Sequence, residues 1–242
     1  ATVSKTIKVF YGNTPSAQIS SSSALTGQCL ALGSAGATMT FDLSAFSNNP
    51  SGTIYKLYFS DDSTTQTFSH PPPASFNHTF NRASCGNLSP NYRNSFFVRF
   101  TAENPCGQSA PIVDPITLSS PPTADFIMPF DSCRGVSVPI FNNSDPGANI
   151  SYDPNVINLS GSNGDYVCDS STNSVWEISP ATFTISQGAA GFRSVLNDPN
   201  SWILGTDSIR VRFNQPGIYT VKMIISGSAL CDIDSITKTI CI

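Results

Sequence analysis

The 242-residue sequence has very few of the residues that usually fill helix interiors. Glu and Lys together number seven, whereas Ser, Thr and Asn number 77. Straight side chains lose little rotamer entropy in a helix, while Ser, Thr and Asn compete for the backbone hydrogen bonds and favour turns. Because the chain also contains 18 Pro and 16 Gly, the composition excludes long helices and predicts an all-β protein.

Positive charge and long apolar runs are scarce as well. Lys and Arg total 12 against 16 Asp and Glu, a formal net charge of −4, which argues against nucleic acid or an anionic membrane as a partner. No apolar run approaches the roughly 20 residues that a membrane-spanning helix needs, so we expect no membrane insertion. There is no Gly-rich phosphate-binding loop, and we predict no cofactor.

Residues suited to catalysis are also few. His70 lies beside three prolines, and His78 falls in an alternating segment where cross-strand packing is the favoured interpretation. There is no Gly-x-Ser-x-Gly turn for a serine hydrolase. Glu103 and Glu177 are the only glutamates and are far apart in the sequence, so a glycosidase pair would depend on aspartates typical of turns. We therefore predict that the chain is not an enzyme.

One acidic pair is a candidate for calcium. Asp61 and Asp62 are adjacent, and oxygen-rich loops can ligate calcium. No Asp-x-Asp-x-Asp-Gly loop supports that interpretation, and an Asx turn is favoured. We predict no metal site.

The seven cysteines are scattered, without a Cys-x-x-Cys pair. With only two histidines in the chain, this spacing argues against a structural zinc site. It favours disulfides in an exported protein, and the odd count leaves at least one thiol unpaired. The cysteines are Cys29, Cys85, Cys106, Cys133, Cys168, Cys231 and Cys241.

The chain repeats itself at long range. The sequence of Ser4–Val9 is similar to that of Thr237–Ile242, and the Pro-x-Ala sequence at Pro15 recurs at Pro122. A repeat as long as a whole small domain indicates tandem domains, because the repeats of a solenoid are much shorter.

The repeat sets the expected domain boundaries. We predict that residues 1–10 are the last strand of a preceding module, 11–119 a first module and 120–242 a second. The junction around Pro121 should be a short, semi-rigid spacer, because proline restricts the backbone before it. The sequence then resembles a segment of a longer array.

Alternating polar and apolar residues predict many short strands separated by Gly, Pro and Asn turns. About seven strands per hundred residues indicate an immunoglobulin-like β-sandwich in each module. The predicted strands are Thr38–Leu43, Ile54–Phe59, Ser75–Phe80, Phe96–Phe100, Val136–Phe141, Asn173–Ile178, Thr182–Ile185, Ser208–Phe213, Tyr219–Ile225 and Ser235–Ile242.

Several motifs resemble those of PKD (polycystic kidney disease) domains. The Pro-Gly-Ile-Tyr-Thr-Val run at Pro216–Val221, followed by the Thr- and Lys-containing strand Ser235–Ile240, is similar to the closing strands of that family. The Pro-x-Ala openings at Pro15 and Pro122 look like its first strand. Phe59–Ser63 is similar to the central turn but lacks its glycines.

The sequences around Cys85 and Cys106 resemble PKD-like modules of giant Bacteroidetes surface proteins, such as the SprB-type gliding-motility adhesins. The resemblance implies type IX secretion, an extracellular, cell-surface location and O-glycosylation of Asp-Ser motifs. Plain turn and strand residues are an equally good interpretation of those motifs. The candidate serines are Ser63, Ser208 and Ser235.

The implied sandwich topology predicts the disulfides. Successive strands alternate in direction, so every second loop lies at one end, and bridged Cα atoms lie within roughly 7 Å of each other. A rival bridge from Cys133 to Cys231 would span the long axis of the module. We predict Cys29–Cys85, Cys133–Cys241 and Cys168–Cys231, with Cys106 free.

The sequence is compatible with two candidate functions. The first is a non-catalytic structural and adhesive segment of a long surface filament that serves gliding motility and attachment. Its partners would be neighbouring modules of the chain, surface polysaccharide or other surface proteins. The alternative is an accessory carbohydrate- or protein-binding module of a secreted glycanase or protease.

Overall fold

The computed structural model describes residues 13–17, 20–21, 28–30, 36–44, 46, 49–196, 198–226, 231 and 233–242. The leading strand predicted at residues 1–10 lies outside the described residues. Those that are described form strands, turns and short 3-10 segments, such as the one at Pro199–Ser201, and they contain no α-helix. The all-β prediction is confirmed. By their internal contacts, the described residues fall into two compact units.

The described residues in the first half of the chain form ten strands, several of them very short. They are β1 (Ser20–Ser21), β2 (Gln28–Cys29), β3 (Ala37–Asp42), β4 (Ile54–Phe59), β5 (Thr65–Ser69), β6 (Ser75–Phe80), β7 (Phe96–Asn104), β8 (Gly107–Gln108), β9 (Ile112–Ile116) and β10 (Leu118–Ser119).

Nine further strands lie among the residues that the structure describes in the second half. They are β11 (Phe126–Ile127), β12 (Ser137–Asn142), β13 (Asn149–Ile157), β14 (Asn163–Asp169), β15 (Asn173–Ser179), β16 (Phe183–Gln187), β17 (Ser208–Phe213), β18 (Ile218–Ser226) and β19 (Ile233–Cys241).

The first unit is a two-sheet sandwich. One sheet has the order β1-β3-β6, and the other has the order β5-β4-β7, with β8 and β9 both pairing with β7. Strand β4 alternates strictly between buried and less buried residues, as expected for strands that cover a core on one face. Phe41 of the first sheet meets Phe59 of the second edge-on, with ring centroids 5.5 Å apart. The apolar face therefore sets both the register and the packing.

The second unit has immunoglobulin topology. Its sheets have the orders β11-β12-β17-β16 and β15-β18-β19, which are the A-B-E-D and C-F-G arrangements of a constant-type immunoglobulin domain. Trp176 on β15, the C strand, is 3% exposed and packs edge-on against Phe126 of β11. The prediction of immunoglobulin-like sandwiches is confirmed.

A buried tyrosine adds a second immunoglobulin hallmark to this unit. Tyr219, near the start of β18, is 1% exposed, and its hydroxyl donates to the carbonyl of Gln215, four residues upstream, at 3.0 Å. This local contact is the tyrosine corner of immunoglobulin-like folds. The side chain of Thr182 lies 2.6 Å from the same hydroxyl. The corner thus fixes the chain where it enters the F strand.

A hairpin is inserted between the B and C strands. Strands β13 and β14 form a two-stranded sheet of their own. The tip of this hairpin, residues 153–166, belongs by its contacts to the first unit, whereas residues 118–152 and 167–242 belong to the second. Residues 29–30, early in the chain, likewise belong to the second unit. Each unit therefore contains residues from both halves of the sequence.

A long connection between β16 and β17 covers the outer face of the β15-β18-β19 sheet. Trp202 of this connection is 7% exposed and clusters with the buried residues Val175 and Ile224. Backbone hydrogen bonds hold the connection against β15. Trp176 N donates to Ala190 O, and Gly205 N donates to Ser174 O. A second, smaller core thus lies outside the main sandwich of this unit.

Candidate functional site

The disulfides differ from those predicted. Cys29 is bonded to Cys231, with their Cα atoms 5.5 Å apart and a sequence separation of 202. Because a cysteine forms one disulfide, the predicted pairs Cys29–Cys85 and Cys168–Cys231 are both wrong. The error came from placing Cys29 in the first module, whereas by its contacts it belongs to the second unit. Cys85 and Cys168 are also disulfide-bonded.

The predicted bridge between Cys133 and Cys241 does not form in the structure, where both are exposed free thiols. Their backbones are nevertheless close, since Ser132 N donates to Cys241 O at 3.0 Å and Cys241 N donates to Phe130 O. The hydrogen-bonded pairing brings Asp131, not Cys133, opposite Cys241. Cys106 is likewise an exposed free thiol.

The three Asp-Ser motifs are all accessible. Ser63 lies in the turn between β4 and β5, Ser208 begins β17, and Ser235 lies on β19, and all three side chains are exposed. Ser63 has a positive φ of 61°, which makes it part of a tight turn. Their glycosylation stays a prediction.

The two histidines lie in different surroundings within the first unit. His70 Nδ1 is 2.9 Å from the hydroxyl of Tyr55, and burial raises the pKa of that buried tyrosine above its ordinary value. His78, on β6, stacks on Phe59 of the opposite sheet with ring centroids 3.8 Å apart. His78 therefore packs across the sandwich between the two sheets.

His78 also contacts the acidic pair Asp61–Asp62. Its Nε2 lies 3.0 and 3.1 Å from the two carboxylate oxygens of Asp61. The side chains of His78 and Asp61 are only 10% and 5% exposed. Asp62 is exposed, and Asp61, Asp62 and His78 offer ligand atoms that all lie within 4.8 Å of one another. This is the group of histidine, cysteine and acidic residues, within the described part of the chain, that could hold a metal ion.

Asp62 adds negative charge to this group. Burial raises its pKa, but hydrogen bonds from the Thr64 hydroxyl and backbone N–H and the charge of His78 outweigh that effect. The pKa of Asp62 therefore lies below its ordinary value, and the residue is a carboxylate at neutral pH. The predicted Asx turn is present, because Asp62 Oδ1 accepts from Thr64 N at 2.9 Å.

The two glutamates are engaged in separate ion pairs. Glu103 lies 2.6 Å from Lys56 in the first unit, and Glu177 lies 2.6 Å from Arg193 in the second. Each carboxylate therefore has a cation as its neighbour.

Alternation along the strands of the first unit places their aromatic side chains on two different faces. Tyr55, Phe96 and Phe100 are fully buried in the core. Tyr58 and Phe97 lie half-buried on the other face, with ring centroids 5.8 Å apart and the Arg99 guanidinium 5.0 Å from the Tyr58 ring. The two rings and the guanidinium form a small surface that is part aromatic and part charged, rather than a row of stacked rings. No helix among the described residues is long and apolar enough to cross a membrane.

No protein-family model matches the chain, and no curated protein matches it. Among solved structures, it is similar to the three N-terminal domains of the highly immunogenic outer capsid protein (Hoc) of bacteriophage RB49. The identity is 13%, over 94% of this chain and 58% of that chain, with a TM-score of 0.30. The present chain thus spans 58% of the length of the phage structure.

Two further solved structures are similar to this chain at 10% identity. The fibronectin(III)-like modules of Clostridium thermocellum CbhA match over 93% of this chain and 94% of that chain, with a TM-score of 0.28. The FN1–FN3 domains of chicken CNTN1 match over 96% and 69%, with a TM-score of 0.24. Identities and TM-scores this low give no ground for transferring a function. The immunoglobulin-like topology and the disulfides themselves fit an extracellular module.

Proposed function

We propose that the chain is a non-catalytic, disulfide-stabilised structural segment of a long cell-surface filament or adhesin. In the setting that the PKD-like motifs imply, the filament belongs to a SprB-type gliding-motility adhesin exported by type IX secretion. Its partners would be neighbouring modules of the chain, surface polysaccharide or other surface proteins. The role is mechanical, holding an adhesive part of the protein away from the cell.

The observation that supports this proposal most directly is the span of one disulfide. The bond between Cys29 and Cys231 closes a covalent ring around most of this sequence and leaves only a short segment on either side of it. A tensile force applied at Ala1 and Ile242 would pass along the first segment, across the two sulfur atoms and along the last. Every residue between Cys29 and Cys231 would then lie outside the path of the force, whereas β1 and β19 lie in the two outer segments and are held by their pairing with β3 and β18.

This arrangement suits a filament under tension. A β-sandwich pulled at its ends must break its hydrogen bonds and expose its core, and a free energy of unfolding of about 5–15 kcal/mol leaves little reserve. A covalent bond across the chain removes that requirement for every residue inside the ring. The residues inside the ring would then not be drawn out at forces that extend an unbridged chain.

Single-molecule force spectroscopy tests the proposal. The full chain is held by handles at its two ends and pulled with and without a reductant. The oxidised chain should extend only by its two outer segments. Reduction should free up to 202 further positions at about 3.5 Å each, an additional extension of roughly 700 Å.

Two variants make the result specific. Cys231→Ser should lengthen the extension without reductant, and Cys106→Ser, which replaces a free thiol, should behave as the unaltered chain does. Equal extension in oxidised and reduced chains would overturn the mechanical role. A catalytic domain adjoining this segment in the open reading frame would favour the accessory module instead, whereas further modules of similar length in tandem would support the filament.

A further inference from the structure

A small group of polar side chains lies at one edge of the first unit. It is formed by the β4–β5 turn of one sheet and by the edge strand β6 of the other sheet. From its geometry we infer that Asp61, Asp62 and His78 form a binding site for a zinc-class divalent transition-metal ion. The site would join the two sheets at the edge of the sandwich. This inference is independent of the mechanical role.

The distances suit such an ion. Zinc lies about 2.0–2.2 Å from nitrogen and oxygen ligands, so two ligand atoms of a tetrahedral site are about 3.3 Å apart. The His78 Nε2 atom is already 3.0 and 3.1 Å from the carboxylate oxygens of Asp61. A shift of a few tenths of an ångström would let an ion replace the proton between them. Metal binding requires that proton to leave, because the ion takes the lone pair of Nε2.

The side chains are held in place by their surroundings. The His78 ring is fixed between Phe59, on which it stacks, and Phe80, whose ring it meets edge-on with centroids 4.7 Å apart. Arg82 donates to the backbone carbonyl of Asp61 at 3.0 Å, and Thr64 holds the carboxylate of Asp62. A site whose ligands are already oriented loses little side-chain entropy when the ion binds.

The ligand set selects the class of metal. Calcium takes six to eight oxygen ligands in a loose cage, and this site presents an imidazole nitrogen among only three residues. Imidazole suits zinc, copper, iron and nickel, while carboxylates are acceptable to all of these ions. Since Asp62 lies on the solvent side, water would take the fourth position. The site therefore differs from the calcium loop that two adjacent aspartates alone would indicate.

Zinc titration of the chelator-treated full chain tests the inference. The free thiols at Cys106, Cys133 and Cys241 are first replaced by serine, because thiolates bind zinc themselves. We expect one zinc ion per chain by calorimetry and a melting temperature that rises with zinc concentration, as for any ligand that binds only the folded state. Calcium chloride at the same concentrations should leave the melting temperature unchanged.

Two variants and a matched control make the site specific. His78→Gln and the exposed Asp62→Asn should each weaken zinc binding more than about tenfold, since even the loss of an outer-shell partner costs roughly 10–100-fold in affinity. Asp169→Asn is the control, because Asp169 holds Ser171 in the same kind of turn as Asp62 holds Thr64 but has no histidine beside it. Three outcomes would overturn the assignment. Asp62→Asn and Asp169→Asn could bind zinc with equal affinity, the protein with all three ligands unaltered could fail to bind zinc, or calcium could stabilise the protein instead of zinc.

Discussion

Arg93 and Asp165 lie 72 positions apart in the sequence and form one ion pair inside the first unit. Nη1 of Arg93 lies 2.6 Å from Oδ2 of Asp165, and the backbone N of Arg93 donates to Oδ1 at 2.8 Å. The carboxylate is fully buried, whereas the Arg93 side chain is 46% exposed. The same guanidinium donates to the carbonyl of Ile157 at 2.8 Å. Polar contacts thus fix the tip of the inserted hairpin.

Asp165→Asn should destabilise the folded chain. The amide keeps the shape of the carboxylate but loses the charge-assisted hydrogen bond from Arg93, and hydrogen bonds to charged groups contribute about 1.5–3 kcal/mol. Because Arg93 is partly solvated, we expect a loss of about 1–2 kcal/mol in the free energy of unfolding. Urea denaturation measures it.

The control for this substitution is Glu103→Gln. Glu103 pairs with Lys56 at the same distance of 2.6 Å, but the two side chains are much more exposed, at 35% and 43%. Such pairs contribute about 0–1 kcal/mol. If both variants lose equal stability, burial of Asp165 is not what makes its pair important.

Cys231→Ser should lower the stability of the oxidised chain. Closing a long loop reduces the conformational entropy of the unfolded chain, and native disulfides typically contribute about 2–4 kcal/mol. Thermal melts of this variant and of Cys106→Ser give the comparison, with no change expected in the second. Peptide mapping without reductant should recover a fragment pair that joins Cys29 to Cys231. A Cys29–Cys85 peptide would contradict the observed connectivity.

Asp125 should make stability fall at acid pH. The hydrogen bond from Lys238, followed by that from Asn143, holds the pKa of Asp125 below its ordinary 3.8. A depressed folded-state pKa means that the unfolded chain takes up the proton first, so this contribution is complete above pH 3.8 and is lost as the pH falls below it. Urea midpoints between pH 6 and 2 should therefore drop less steeply in Asp125→Asn than in the unaltered chain.

Asp114 should act in the opposite direction. Burial raises the pKa of Asp114 above its ordinary 3.8, because the charged form is disfavoured away from water. The folded chain then binds the proton first, so this residue destabilises the fold as the pH rises through its range. Asp114→Asn should raise the urea midpoint at neutral pH and leave it unchanged at pH 3. A lower midpoint at neutral pH would show that the Asp114 carboxylate stabilises the fold.

Tyr219→Phe should weaken the second unit. The substitution removes the buried hydroxyl that donates to Gln215 and leaves that carbonyl without this donor. Net contributions of such hydrogen bonds are about 0.5–1.5 kcal/mol, so we expect a loss of about 1 kcal/mol in urea denaturation. Tyr58→Phe is the control, because the Tyr58 hydroxyl makes no hydrogen bond among the described residues. A loss of similar size in both variants would argue against the tyrosine corner.

Much of the fold is predictable because burial on one face imposes alternation. Each of the ten predicted strands overlaps an observed one, and Ile54–Phe59 and Ser208–Phe213 coincide with β4 and β17. The strands of the inserted hairpin are absent from the prediction. Strand β13 has Pro154 in its middle, and none of the residues from Ser151 to Ile157 is buried. It therefore lacks the apolar alternation on which the prediction depends.

Only the two aspartates of the candidate metal site could be predicted from the sequence. Asp61 and Asp62 are conspicuous as a pair, but His78 lies on another sheet, 17 positions from Asp61, and only the packing of the two sheets brings them together. The alternating pattern correctly placed His78 among packed residues. The disulfide pairs could not be predicted from the sequence. The strand pattern assigns a cysteine to a face or to an end of its own module, whereas Cys29 belongs to a unit that is formed mostly by later residues.

The ring closed by Cys29 and Cys231 also determines the outcome of a single proteolytic cut. Cleavage of any one peptide bond within the ring leaves both pieces covalently attached, so neither can diffuse away. A chain nicked in an exposed connection, such as the one around Leu196, would migrate intact in a non-reducing gel. Its two fragments would separate only after reduction.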